Sequence, residues 1–69
     1  MIKFAERLRF LRKERGIERK ELANTVGLTV RAYQYYEEGK REPNLENLVA
    51  LAKYFQVSTD YLLGVTDTP

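Results

Sequence analysis

The side chains available for chemistry in this sequence are suited to binding rather than to covalent catalysis. The chain has twelve Lys and Arg residues but no His or Cys, and Ser58 is its single serine. Nucleophile–base pairs therefore lack their usual members, and so do the common zinc ligand sets. We predict that the protein is not an enzyme, that it needs no metal or cofactor, and that its cationic and amide side chains serve in recognition.

The charges are distributed unevenly along the chain. Residues 1–20 have a net charge of +5, residues 21–41 are neutral overall, and residues 42–69 have a net charge of −3. A chain that is basic at one end and acidic at the other suits a polyanionic partner on one face. An ordinary solvated surface is the alternative explanation of the charges alone.

Residues 19–38 have the spacing that two steeply crossed helices with a tight turn require. The first helix needs a small residue where the helices touch, and the turn needs a residue that tolerates positive φ and an apolar anchor. The second helix needs an N-cap and bulky groups on its inner face. The residues that meet these needs are Ala23, Gly27, Leu28, Thr29, Tyr33 and Tyr36. The stretch therefore predicts a helix-turn-helix whose second helix spans residues 29–37.

The whole chain predicts an all-α, compact five-helix domain covering residues 1–69. Apolar residues recur at helical spacing, and glycines such as Gly16 and Gly64 follow the ends of helical segments. We expect an ordered core over about residues 3–64 and a frayed tail at residues 65–69. The predicted buried residues are Phe4, Leu8, Leu11, Ile17, Leu22, Val26, Leu28, Leu45, Leu48, Leu51, Phe55, Val57 and Leu62.

The first turns of the predicted helices differ in charge. Glu46 and Asp60 open the last two helices, as the helix dipole favours, whereas Arg19 and Lys20 open the second and Arg31 lies in the first turn of the third. Cations at a helix start are unfavourable by about 0.3–1 kcal/mol unless an anion neutralises them. A phosphate backbone would supply that anion. The alternative is that exposed helix starts simply tolerate these residues.

The sequence resembles the Cro/CI-like family of repressors, also called the xenobiotic-response-element type of helix-turn-helix protein. The resemblance covers residues 4–64 and implies a lambda-repressor-like fold whose third helix enters the DNA major groove. It rests on Arg7-Leu8-Arg9-Phe10-Leu11-Arg12, Gly16-Ile17, Glu21-Leu22-Ala23, Gly27-Leu28-Thr29, residues 36–43, Leu48, Leu51-Ala52, Val57-Ser58 and Leu62-Leu63-Gly64. The chain departs from the family pattern at Glu18, Arg19 and Tyr33, where the family often has Ser or Thr, Gln, and Ile or Val.

This resemblance implies roles for residues on and around the third helix. The side chains expected to contact base edges are Val30, Arg31, Gln34 and Tyr35. The side chains expected to contact phosphates are Arg19, Thr29, Lys40, Arg41 and Asn44. The family also commonly pairs an arginine of its first helix with the glutamate that ends the third, which predicts a partly buried ion pair between Arg12 and Glu37.

The function that these features imply is a sequence-specific DNA-binding transcriptional regulator that acts as a repressor in the cytoplasm. A protein-interaction module on the same fold, such as an antitoxin, is the alternative. Because one small domain contacts few base pairs, we expect a homodimer on a palindromic duplex. Tyr61, Leu63 and Val65 are the candidate interface residues, since Leu62 and Leu63 cannot both point inward.

Overall fold

A computed structural model describes residues 3–69, and the fold within them is all-α. The five helices there are α1 (Phe4–Glu14), α2 (Arg19–Thr25), α3 (Val30–Glu38), α4 (Leu45–Phe55) and α5 (Thr59–Leu63). The predicted five-helix architecture is therefore confirmed. In the same part of the chain, each helix is too short or too polar to cross a membrane.

Local side-chain chemistry defines the ends of these helices. The side-chain oxygens of Thr29, Asn44 and Ser58 accept hydrogen bonds of 3.1, 2.8 and 3.0 Å from the backbone N–H groups three residues later, and so cap α3, α4 and α5. Gly39 ends α3 at a φ of +74°. Gln56 ends α4 in the same left-handed region at +57°, although a side chain is disfavoured there.

The core lies where the first three helices meet the last two. Helix α1 packs against α3 and α5, α2 packs against α3, and α4 packs against α5. Helix α3 is thus held from behind by both α1 and α2. The buried hydrophobic residues are Phe4, Leu8, Leu11, Leu22, Ala23, Tyr33, Tyr36, Leu48, Leu51, Ala52, Phe55, Tyr61 and Leu62.

One predicted core residue lies on the surface. Leu45 is 79% exposed, because it occupies the first turn of α4 at the edge of the packed helices and borders an open groove. The prediction that it is buried was wrong. Four others, Ile17, Val26, Leu28 and Val57, are only partly buried and pack against the outside of the core.

The segment after α5, for which the sequence predicts a frayed tail, makes side-chain contacts with α1 in the structure. Arg7 is buried, and its Nη1 donates to the carbonyl oxygens of Tyr61 and Thr66, each at 2.9 Å. Its Nη2 donates to Asp67 Oδ1 at 2.7 Å. A buried guanidinium needs acceptors for its donors, and residues 65–69 supply two of them. Helical periodicity alone does not reveal this requirement.

The predicted dimer residues differ in exposure. Tyr61 is 8% exposed and lies under the Arg7 guanidinium, which is 4.1 Å from its ring centroid. It therefore packs in the core of the domain and presents little surface to the predicted dimer interface. Leu63 is partly buried and Val65 is 73% exposed, so these two still present apolar surface.

Candidate nucleic-acid interface

The turn between α2 and α3 has the tight geometry that the sequence predicts. Gly27 has a φ of +76°, which a residue with a side chain rarely adopts. The N–H of Leu28 donates to the carbonyl of Ala23 at 2.8 Å, and that of Gly27 donates to the carbonyl of Asn24 at 3.3 Å. Ala23 is fully buried, so the two helices approach closely at its methyl group. The turn therefore sets the angle at which α3 leaves α2.

The inner face of α3 is anchored to α1 and α4 by its aromatic residues. Tyr33 is fully buried, and Tyr36 packs edge-to-face against Phe4 of α1 with ring centroids 6.0 Å apart. The hydroxyl of Tyr36 accepts a 3.0 Å hydrogen bond from Asn47 Nδ2 on α4. At the position of Tyr33, where the related family often has Ile or Val, this chain thus has a hydroxyl in the core.

That hydroxyl joins a polar network centred on Glu37, whose side chain is 2% exposed. Arg12 donates through Nε to Oε2 at 2.5 Å and through Nη2 to Oε1 at 3.3 Å, which forms the predicted ion pair. Tyr33 donates its hydroxyl to Oε2 at 2.5 Å, and Arg19 donates Nε to Oε1 at 3.1 Å. The carboxylate thus connects α1, α2 and α3.

Two further contacts extend this network along the backbone. Arg12 Nη1 donates to the carbonyl oxygen of Ile17 at 3.0 Å, in the connection between α1 and α2. Arg9 Nη1 donates to the carbonyl oxygen of Glu37 near the end of α3. Helix α3 is therefore held at its C-terminal end, and its N-terminal end lies at the turn.

The network favours the ionised form of Glu37. Burial opposes ionisation of the carboxyl, but hydrogen bonds from Arg12, Tyr33 and Arg19 outweigh it and lower the pKa of Glu37 from its ordinary value. The pKa of Tyr33 is raised, chiefly because burial disfavours the phenolate and also because its hydroxyl donates to Glu37. The pKa of Arg12 is raised by the same ion pair. At neutral pH, Glu37 is therefore ionised, Arg12 is positively charged and Tyr33 keeps its hydroxyl proton.

The outer face of α3 carries the predicted base-contacting residues. Arg31 and Gln34 are exposed, and Val30 is 39% exposed. Tyr35 is only half-buried rather than freely exposed, because the guanidinium of Arg41 lies 5.1 Å from its ring centroid. Arg31 Nη1 also lies 3.5 Å from the Tyr35 hydroxyl. Tyr35 therefore connects a residue of α3 to the loop after it.

The predicted phosphate-contacting residues fall into two groups. Lys40 and Arg41 are exposed in the loop after α3. Thr29 and Asn44 use their side-chain oxygens as helix caps, so these oxygens are already occupied. Arg19 is 48% exposed and already bound to Glu37 through Nε, a role that the sequence did not indicate.

A groove separates the start of α2 from the outer face of α3. It is lined by Arg12, Glu18, Arg19, Lys20, Val30 and Gln34. Lys20, which the sequence singled out only as a basic helix start, thus lies beside two predicted base-contacting residues. Its position in the first turn of α2 was the signal that could have added it to the site.

Comparison with known proteins identifies relatives over most of the chain. The family described as "Helix-turn-helix" matches residues 8–62. The HTH-type transcriptional regulator YobD of Bacillus subtilis is 41% identical over 96% of this chain and 59% of its own length. Repressor protein C2 of Salmonella phage P22 is 45% identical over 84% of this chain and 27% of its own length. The chain thus spans only part of these relatives.

The solved structures include one with DNA. The crystal structure of the P22 c2 repressor protein in complex with a synthetic operator superposes with a TM-score of 0.83 and 43% sequence identity. That match covers 87% of this chain and 91% of the repressor chain.

Proposed function

This chain belongs to the helix-turn-helix family, and on that premise we propose that it binds a double-stranded DNA site and acts as a transcriptional repressor. The observation that carries the proposal is the arrangement of α3. One face is fixed to α1 and α2 through Tyr33 and Glu37, and the other presents Val30, Arg31 and Gln34. The same proposal places the protein in the cytoplasm and involves no catalysis.

The outer face of α3 matches what the major groove offers. The groove admits one α-helix, and the guanidinium of an arginine can bind guanine O6 and N7 together. Arg31 in the first turn of α3 is our candidate for that contact, and Val30 beside it would meet a thymine methyl group. Gln34 lies one turn later and would bind adenine. Tyr35 would contact a base edge with its ring backed by Arg41.

The phosphate contacts would come from both sides of α3. Lys40 and Arg41 follow its end, and Arg19 lies across the groove at the start of α2. Thr29 and Asn44 lie at helix N-termini, where backbone N–H groups favour an anion. Contacts of this kind position a protein on the duplex without reading its sequence.

The test begins with selection of bound duplexes from a random library. We expect a palindromic site with half-sites about 34 Å apart, because a dimer presents two copies of α3. Arg31→Ala should then reduce affinity by about 1–3 kcal/mol and relax preference at one base position. Arg41→Ala should weaken all sites about equally and lower the salt slope by about one.

The duplex affinities of the wild type and of these two variants distinguish DNA binding from a protein-interaction role. Both variants change one exposed arginine to alanine, so a general loss of charge affects them alike. If the protein binds no duplex, or binds with no salt dependence, DNA recognition is refuted and a protein partner becomes the better explanation. If Arg31→Ala and Arg41→Ala have the same effect on every sequence, α3 does not read bases.

A further inference from the structure

Tyr35 contacts two arginines that come from different parts of the proposed DNA-binding surface. Arg31 lies one turn earlier on the same face of α3, and its Nη1 is 3.5 Å from the Tyr35 hydroxyl oxygen. Arg41 lies in the loop after α3, and its guanidinium carbon is 5.1 Å from the centroid of the Tyr35 ring. A cation at this distance from an aromatic face is attracted to it. One side chain therefore contacts both guanidinium groups, one through its hydroxyl and the other through its ring.

The backbone of Tyr35 binds the same loop. Its carbonyl oxygen accepts a 3.0 Å hydrogen bond from the N–H of Lys40. Gly39, which precedes Lys40, ends α3 in the left-handed region, where a residue without a side chain is favoured. The loop is thus fixed to the last turn of α3 at this point. This turn brings Arg41, the next residue of the loop, beside the Tyr35 ring.

Arg31 and Arg41 keep their positive charge available, in contrast to a neighbouring cation. Lys40 pairs with Glu38 at 3.3 Å. In the part of the chain that the structure describes, no carboxylate forms an ion pair with Arg31 or Arg41. A carboxylate orients a cation but also neutralises it, whereas the hydroxyl and ring of a tyrosine are uncharged. Tyr35 can therefore orient both guanidinium groups without competing with a DNA anion for their charge.

We propose that Tyr35 is a positioning residue that orients Arg31 toward a base and Arg41 toward a phosphate before DNA binds. The proposal rests on the DNA binding proposed above and adds a coupling between its two kinds of contact. A long arginine side chain loses rotamer freedom on binding, and a contact already made in the free protein reduces that cost. Base reading by Arg31 and phosphate binding by Arg41 then depend on the same side chain.

Two substitutions at Tyr35 separate the hydroxyl contact from the ring contact. Tyr35→Phe keeps the ring beside Arg41 and removes the acceptor for Arg31. On the selected duplex, the fold loss of affinity caused by Arg31→Ala should therefore be about twofold or more smaller in the Tyr35→Phe background than in the wild type. Tyr35→Leu also removes the ring. The fold loss caused by Arg41→Ala should then be about two- to fivefold smaller in the Tyr35→Leu background, and similarly so for every duplex sequence.

Lys40→Ala is the matched control for these double-mutant cycles. It removes a cation from the same loop, but the ammonium group of Lys40 pairs with Glu38 and not with Tyr35. The fold loss caused by Lys40→Ala should therefore be the same in the wild type, in Tyr35→Phe and in Tyr35→Leu. A coupling of Tyr35 to Lys40 as large as its coupling to Arg41 would indicate a general change in α3 and would overturn the positioning role.

The orientation of Arg41 is also measured in the DNA-free protein. In NMR spectra, the ring current of Tyr35 should shift the side-chain protons of Arg41 in the wild type and in Tyr35→Phe, and the shift should disappear in Tyr35→Leu. Ordinary chemical shifts for these protons in the wild type would refute the contact on which the proposal depends.

The binding data distinguish a failure of this inference from a failure of the proposed function. If the wild type binds the selected duplex and the losses at Tyr35, Arg31 and Arg41 are simply additive, then Tyr35 positions neither arginine, and DNA binding stands. If the wild type binds no duplex, the proposed function is refuted and this inference falls with it.

Discussion

Replacing Arg12 by methionine removes the strongest connection between α1 and α3 while keeping a side chain of similar length. Arg12 donates two hydrogen bonds to Glu37 and a third to the carbonyl of Ile17. The Arg12 side chain is 11% exposed and that of Glu37 is 2% exposed, so water cannot replace these donors without rearrangement. The variant therefore leaves a buried carboxylate with fewer partners.

The size of this effect follows from what remains around Glu37. Removing one partner of a buried ion pair destabilises a protein by about 3–5 kcal/mol. Tyr33 and Arg19 still donate to the carboxylate in the variant, which places the loss near the lower limit, about 3 kcal/mol. A domain of this size has a total stability of about 3–10 kcal/mol. At roughly 4–8 °C per kcal/mol, the melting temperature should fall by about 12–24 °C.

Urea unfolding followed by circular dichroism measures this loss, and Arg19→Met is the matched control. Arg19 donates to the same carboxylate, but its side chain is 48% exposed, so its removal should reduce stability by less than about 1 kcal/mol. Duplex affinity of the Arg12 variant should fall as well, because the network holds α3. If Arg12→Met and Arg19→Met lower the stability equally, or if Arg12→Met changes neither stability nor affinity, the buried network does not lock α3.

Three further predictions concern the same polar contacts. Folding lowers the pKa of Glu37, so its contribution to stability is complete above its ordinary pKa. That contribution is lost as the pH falls below the ordinary value toward the pKa in the folded state. Glu37→Gln should therefore flatten the acid dependence of the urea midpoint. Arg7→Lys should reduce stability by about 2 kcal/mol and expose residues 65–69 to proteolysis, whereas Asp67→Ala, at an exposed partner, should reduce stability by less than about 1 kcal/mol; equal effects would contradict the structure. Arg19→Gln should lower the salt slope of duplex binding by about one for all sequences, and an unchanged slope would exclude a phosphate contact.

The sequence predicts the helices of this fold well because their ends are locally encoded. A cap such as Thr29 and a glycine such as Gly39 act through their own backbone neighbours, so the pattern alone identifies them. Burial at the edges is different. Leu45 has the spacing of a core residue, yet whether it is covered depends on how far the neighbouring helices extend. That extent is a property of the tertiary packing and cannot be deduced from periodicity.

Polar groups in the core were the least predictable part of the molecule. Tyr33 was expected as a bulky apolar residue, but its hydroxyl completes the shell of Glu37. Arg7 was noted only within a family motif, although its buried guanidinium organises the segment after α5. Hydrogen bonds between residues distant in sequence leave no periodic signal. Only the folded arrangement shows which acceptor each donor reaches.

Arg19 links the scaffold of this fold to its proposed reading surface. Its Nε donates to the buried carboxylate of Glu37, while 48% of the side chain remains exposed beside the groove that leads to α3. The glutamine common in the family at this position is shorter and uncharged, so it would not supply this second cation to the network. A phosphate at the start of α2 would therefore meet a guanidinium that is already oriented by Glu37. Binding of the DNA backbone and the placement of α3 would then depend on the same side chain.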